Sequence, residues 1–114
     1  MAADCIFCRI LSGELESDVL YRDDDCFVIR DIAPGAPVHL LIIPNEHFTR
    51  LTELTPTFYP VLGSMFNAAQ EMAGREGVRE SGYRLIVNQG DDAGQQVPHL
   101  HMHLMAGRTL TAMG

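Results

Sequence analysis

The stretch VPHLHMHL, residues 97–104, places His99, His101 and His103 two residues apart, with Leu100, Met102 and Leu104 between them. This period of two constrains the local backbone more than any other feature of the chain. Residues two apart on a helix do not face each other. On a strand they share a face, because successive side chains alternate. The spacing predicts a strand over 99–105, with three imidazoles on one face and three apolar side chains turned to a core on the other. Pro98 stands where such a strand can begin, and Gly107 lies a few residues past the last histidine. The three rings cannot all bind one ion. The outer two Cα atoms would lie roughly 13 Å apart at ~3.3 Å per residue, whereas Zn–N bonds are about 2 Å. Neutral imidazole near pH 7 is also a competent nucleophile and proton carrier. The motif marks a reaction site or part of a shared metal site.

The remaining elements follow from turn residues and periodicity. IFCRILSGE (6–14) fits a short helix ended by Gly13. DVLYRD and CFVIRDI read as two strands of a hairpin across RDDD. After the turn cluster IAPGAP (32–37), VHLLIIP (38–44) is an unbroken apolar strand, expected to be central and buried on both faces. A long helix is expected near 58–75, capped by Thr57 and with Pro60 in its first turn. Phe58, Leu62, Met65, Phe66, Ala69, Met72 and Ala73 form its apolar stripe. YRLIVN (83–88) is a further strand and the histidine strand is the last. The result is an α+β chain with a mainly antiparallel sheet of about five strands, one long helix and a short N-terminal helix. We expect a single domain over 1–114.

A net charge of −7 argues against polyanionic nucleic acid and anionic membranes as partners. A small nucleotide stays open, because local groups decide its binding. The N-terminal residues have no basic or long apolar stretch of a signal peptide, and no segment approaches the ~20 apolar residues of a membrane helix. We expect a soluble cytoplasmic protein. Three cysteines and no sign of secretion argue against a disulfide framework. Cys5 and Cys8 form C-x-x-C with no room before them for the strand of a redox motif, so zinc is the better reading, with two further ligands needed. Cys26 reads as a small buried hydrophobe. QGDDAGQQVP (89–98) is longer than a minimal hairpin loop. Its glycines and glutamines can turn N–H donors toward an anion.

His-x-His-x-His preceded by Gly94-Gln95-Gln96-Val97 resembles the signature of the histidine triad (HIT) family of nucleotide hydrolases and transferases. CIFCRILSGE, CFVIRDIAPGAPVHLLIIPNEHF, YRLIVNQG and GQQVPHLHMHLMAGR resemble, in order, the blocks of its short Hint branch. The resemblance implies the HIT fold and a homodimer. It makes His101 the nucleophile on a nucleotide α-phosphorus, His103 a donor and positive partner near phosphate and leaving group, and His99 a neighbour that positions the site. His39 would support the triad. Asn88 and the backbone of Gly94, Gln95, Gln96 and Val97 would hold phosphate oxygens. Asp31 would accept the ribose hydroxyls, and Ile6, Phe7, Ile10, Ile29, Ile32 and Leu41 would clamp a purine. By the pattern of bacterial members, a structural Zn²⁺ would be held by Cys5, Cys8, His47 and His99, with no catalytic cofactor.

Two departures bear on the leaving group. Gln96 stands where several Hint proteins have serine, which relays a proton better than an amide, and the tail GRTLTAMG lacks a tryptophan that some relatives carry. The resemblance implies hydrolysis of purine nucleoside phosphoramidates, AMP or GMP joined to an amine. The competing readings are a dinucleoside polyphosphate hydrolase, a nucleotide-binding interaction module with incidental hydrolysis, and a His-x-His metalloenzyme.

Overall fold

The computed structural model describes residues 4–113; residues 1–3 and 114 of the expected domain lie outside the described residues. The chain runs α1 (Ile6–Leu11), β1 (Val19–Arg22), β2 (Cys26–Arg30), β3 (Val38–Pro44), α2 (Tyr59–Arg75), β4 (Tyr83–Ile86) and β5 (Met102–Ala106), with short 3-10 turns between. The five strands make one sheet in the order β1-β2-β3-β5-β4. Every pairing is antiparallel, and β1 carries a bulge between Val19 and Tyr21. β3 is the middle strand and, beyond Val38, is buried throughout, as its apolar run requires.

Alternation along the strands gives the sheet two different faces. Val28, Leu40, Ile42, Met102, Leu104 and Ala106 pack under α2, against Met65, Ala68, Ala69, Met72 and Ala73. The three alanines let the helix approach closely. Phe27, Ile29, Leu41 and Ile43 face the other way and meet Cys5, just before α1, and Phe7 and Ile10 of α1. His39 pairs with Met105 and Leu41 with His103, so both of these histidines stand on the α1 face. Cys26 is fully buried, and burial with the neighbouring Asp23 carboxylate pushes its thiol up to about 12, in line with an inert core residue. No helix among the described residues is long and apolar enough to cross a membrane.

Three expectations need correction. The histidine strand begins at Met102, three residues later than its pattern predicts; His99, Leu100 and His101 form an irregular lead-in. There the main-chain groups are already taken. Leu100 N–H donates to the Phe48 carbonyl and the His99 carbonyl accepts from the His101 ring, so neither enters the β3 ladder. Thr57 does not cap α2. A 3-10 turn over Pro56–Phe58 leads into the helix, which has no side-chain cap, although Pro60 does fall in the first turn. Phe66 is 53 % exposed, because it sits at the edge of the Met65–Ala69–Met72 line and has no strand beneath it.

Candidate active site

The α1 face of the sheet is hollowed into a cavity of about 640 Å³, within the range of small-molecule sites. Its sides are unlike. Ile6, Phe7 and Ile10 of α1, Ile29 of β2 and Leu41 of β3 line it with hydrocarbon, and Ile32, 95 % exposed, stands at its mouth. His39, Asn88, His101, His103, Gly94, Gln96 and Val97 line it too, from β3, β5 and the loops before β5. Asp31 lies between, just after β2. Its Oδ1 accepts the Ala33 N–H at 2.8 Å, which fixes the carboxylate in an Asx turn.

Hydrogen bonds assign the protons on the rings. The Nδ1–H of His101 donates to the main-chain carbonyl of His99 at 2.7 Å. The remaining nitrogen, Nε2, keeps its lone pair, and His101 lines the cavity. The Gly35 N–H can only donate, so His39 Nδ1 accepts it at 2.9 Å. The His39 proton is then on Nε2, 2.8 Å from His103 Nδ1, which accepts it. His103 in turn carries its proton on Nε2. Asn88 Nδ2 lies 3.5 Å from that nitrogen, and turning the amide end for end puts its oxygen there to accept. Burial, aided by His101 and His39, pushes His103 down to about 4, against a smaller opposite pull from Asp31. This favours the neutral ring, with a proton to donate from Nε2.

Not every expected residue reaches the cavity. Gln95 braces the loop from within: its Oε1 accepts from Gly90 N–H at 2.9 Å, and its Nε2 donates to the Thr49 carbonyl at 2.8 Å and the Val97 carbonyl at 3.3 Å. With both ends of its amide used, it braces the loop before β5 and does not line the cavity. His99 is wholly buried and lies on the far side of His101. Leu15, Glu16, Ser17, Arg30 and Ala33 also line the cavity and were not expected. The signal for the first three was topological: the link from α1 to β1 must pass the wall that α1 makes. Arg30 shares the strand face of Val28 and turns its guanidinium to Glu76 at the end of α2 in a two-pronged ion pair at 2.9 Å.

Behind the His101 wall, Cys5, Cys8, His47 and His99 bring one ligand atom each to within 4.8 Å of one another. Cys5 Sγ lies 3.2 Å from His99 Nδ1, Cys8 Sγ 3.3 Å from His47 Nδ1 and 3.6 Å from His99 Nδ1. A tetrahedral ion with ordinary Zn–S and Zn–N bonds holds neighbouring S and N about 3.5 Å apart. The His99 Nε2–H donates to the Pro44 carbonyl at 2.9 Å, which frees Nδ1 for a ligand role and orients the ring. Burial pushes His99 down to about 4, and burial together with Cys5 pushes the Cys8 thiol up to about 11. A cation reverses the second effect by favouring thiolate. The donor set and spacing fit a metal ion. Asp31, His39 and His103 also cluster, but His39 and His103 face each other across a hydrogen bond, closer than the ~3.3 Å of two nitrogens on one tetrahedral ion.

A family model for the HIT domain matches residues 12–110. The chain is 43 % identical to the purine nucleoside phosphoramidase of Escherichia coli over 113 residues, covering 99 % of this chain and 95 % of that one. Its structure superposes on a HIT family hydrolase from Clostridium thermocellum with a TM-score of 0.91, at 43 % identity and with 100 % and 96 % of the two chains covered. A Zn-bound histidine triad family protein from Mycobacterium smegmatis matches with a TM-score of 0.81 at 32 % identity, over 95 % of this chain and 78 % of that one. With His101 and His103 on one cavity and likeness over nearly its full length, the chain belongs to the HIT family, as one of its hydrolases.

Proposed function

We propose that the protein hydrolyses purine nucleoside phosphoramidates, AMP or GMP joined to an amine, through a nucleotidyl group carried on His101. The observation that carries this reading is the His101 tautomer: Nδ1–H held by the His99 carbonyl, Nε2 free on a ring that lines the cavity. The activity named for the E. coli relative supports the substrate class.

In the first step the Nε2 lone pair bonds to the α-phosphorus, the P–N bond to the amine breaks, and the departing nitrogen takes up a proton from solvent, to which the second step returns one. The ring is then an imidazolium whose Nδ1–H still faces a carbonyl, which spreads the developing charge. In the second step water bonds to phosphorus, the P–Nε2 bond breaks, and the ring departs neutral with the tautomer it began with; water's proton replaces the one taken by the amine. The His103 Nε2–H and the N–H groups around Gly94 to Val97 hold the phosphate oxygens as charge grows on them. Asp31, its Oδ1 already fixed, accepts from the ribose hydroxyls. Ile6, Phe7, Ile10, Ile29 and Leu41 take the faces of the purine, with Ile32 closing over it.

Cys5, Cys8, His47 and His99 hold zinc in this reading, a structural ion that ties α1 to the segment before β5. We also propose a homodimer, supported by the open edge of β4 and the exposed Tyr59 and Phe66 on α2; light scattering giving a monomer mass would end that part.

Brief mixing with an adenosine phosphoramidate followed by mass spectrometry tests the mechanism. A mass increment of one AMP on the His101 peptide is expected, and none in His101→Ala. Turnover without any such adduct, or undiminished in His101→Ala, would refute it. Ranking phosphoramidates against dinucleoside polyphosphates by kcat/KM separates the two hydrolase readings.

A further inference from the structure

We infer that the metal set and the nucleotide pocket are energetically coupled, with Phe7 as the positioning residue between them, so that filling either site tightens the other. The inference rests on the zinc and nucleotide readings above and goes beyond them.

α1 serves both sites at once. Cys5 and Cys8 bring thiols to the metal set, while Ile6, Phe7 and Ile10, between and just beyond them, line the pocket. The Phe7 ring meets the metal-set His99 edge-on, with centroids 5.6 Å apart and planes at 80°, and meets His101 in the same manner at 5.2 Å and 71°. His99 is shared as well: its Nδ1 lies 3.2 Å from Cys5 Sγ, and its carbonyl accepts the His101 Nδ1–H at 2.7 Å. Two separate links therefore join the same two places, one through the Phe7 ring and one through the main chain of His99.

At six residues, α1 is too short to hold its shape alone. Its position comes from packing on Phe27, Ile29, Leu41 and Ile43 and from its thiols. With an ion held by all four residues, Cys5 and Cys8 would be joined through it to His47 and His99. Without one, thiol–imidazole contacts remain, which are weak. A ligand in the pocket presses on the same helix from the other side. Each site thus pre-arranges the wall it shares with the other, and thermodynamic linkage makes the effect equal in both directions.

The test uses zinc and AMP with the full chain. AMP affinity is measured by calorimetry on zinc-loaded and chelator-stripped protein, and zinc affinity against a competing indicator with and without AMP. At least a fivefold tightening of AMP by zinc is expected, with the same factor for zinc by AMP. Because stripped protein could unfold, zinc release from loaded protein into excess chelator is timed as well, and AMP slows it at least fivefold. Phe7→Leu keeps all four ligand residues and the His99 main-chain link; it weakens AMP in the loaded and stripped forms alike, and the ratio between the two falls to less than half its wild-type value. Equal AMP affinity within twofold in both forms, with both ligands bound, overturns the coupling and leaves the site readings standing. A coupling factor unchanged in Phe7→Leu overturns the role of Phe7. Failure of the wild-type protein to take up zinc, or to bind AMP, removes the underlying reading and the inference with it.

Discussion

The proton assignment Gly35 N–H to His39 Nδ1, then His39 Nε2–H to His103 Nδ1, leads to one sharp expectation. In His39→Ala, His103 Nδ1 loses the donor that fixes its tautomer. Water enters the space and the ring can place its proton on Nδ1, withdrawing the Nε2–H that points to the pocket. Two effects follow and differ in size. Stability falls by about 1–2 kcal/mol, since one half-buried acceptor loses its partner while the Gly35 N–H, at an exposed residue, turns to water. At roughly 4 °C per kcal/mol for a chain of this size, Tm drops about 4–8 °C. Turnover falls further, by about 10²–10³, as for loss of one donor to a transition-state oxyanion. His39→Gln discriminates between causes, because its amide N–H can replace the Nε2–H and so recover much of the rate. Steady-state kinetics on an adenosine phosphoramidate and thermal melts of the three proteins measure both effects. If His39→Ala stays within threefold of wild type, or if folded His39→Gln is no faster than His39→Ala, the tautomer reasoning is wrong.

Three further outcomes are expected. His103 titrates near 4 in the folded chain and near 6.5 unfolded, so the unfolded state binds its proton first; the contribution to stability is complete above about pH 6.5 and lost as pH falls toward 4. Discounted for partial exposure, this is on the order of 1–2 kcal/mol, and urea midpoints at both pH values should fall more in wild type than in His103→Gln. Gly107→Ala places a Cβ 2.8 Å from Pro37 Cβ on a backbone at φ +99°; a loss of about 2–4 kcal/mol is expected by denaturant unfolding, and a loss under 0.5 kcal/mol would show that the 106–108 turn relaxes freely. Gln96→Ser supplies a hydroxyl at the cavity wall and raises kcat for phosphoramidates by about two- to tenfold, whereas an unchanged or lower kcat would separate Gln96 from the leaving group.

What could be read from the sequence is what depends on period and local chemistry. The Phe7 ring touches both His99 and His101, and His101 touches His103, so the three rings stay on the α1 side although the strand starts only at Met102. Pro44 and the apolar run before it announce a buried middle strand, and Gly13, at φ +86°, sits just past the end of α1. The cavity joins α1, β2, β3 and β5 from distant parts of the chain, and the HIT resemblance, not periodicity, named most of its lining. Gln95 shows the boundary. Between Gly94 and Gln96 no local signal distinguishes an amide that binds a ligand from one whose two ends are spent on Gly90, Thr49 and Val97. Phe66 shows another, since helical spacing gives a stripe but not its edge.

The irregular lead-in before β5 is also where the chemistry is set. Had the ladder continued to His99, its carbonyl would have been committed to pairing. The extended segment instead spends that carbonyl on His101 Nδ1, at 2.7 Å, and its Leu100 N–H on Phe48. The early end of the strand therefore selects the His101 tautomer, and with it the nitrogen that attacks in the proposed mechanism. A strand-restoring change at Pro98 would be expected to act on His101 through this bond, because Pro98 precedes the residue whose carbonyl makes it. Pro98→Val at an otherwise intact site should lower kcat while leaving KM nearly unchanged, since the nucleoside walls on α1, β2 and β3 do not move. A fall confined to KM would place the effect in binding and break the link between strand end and nucleophile.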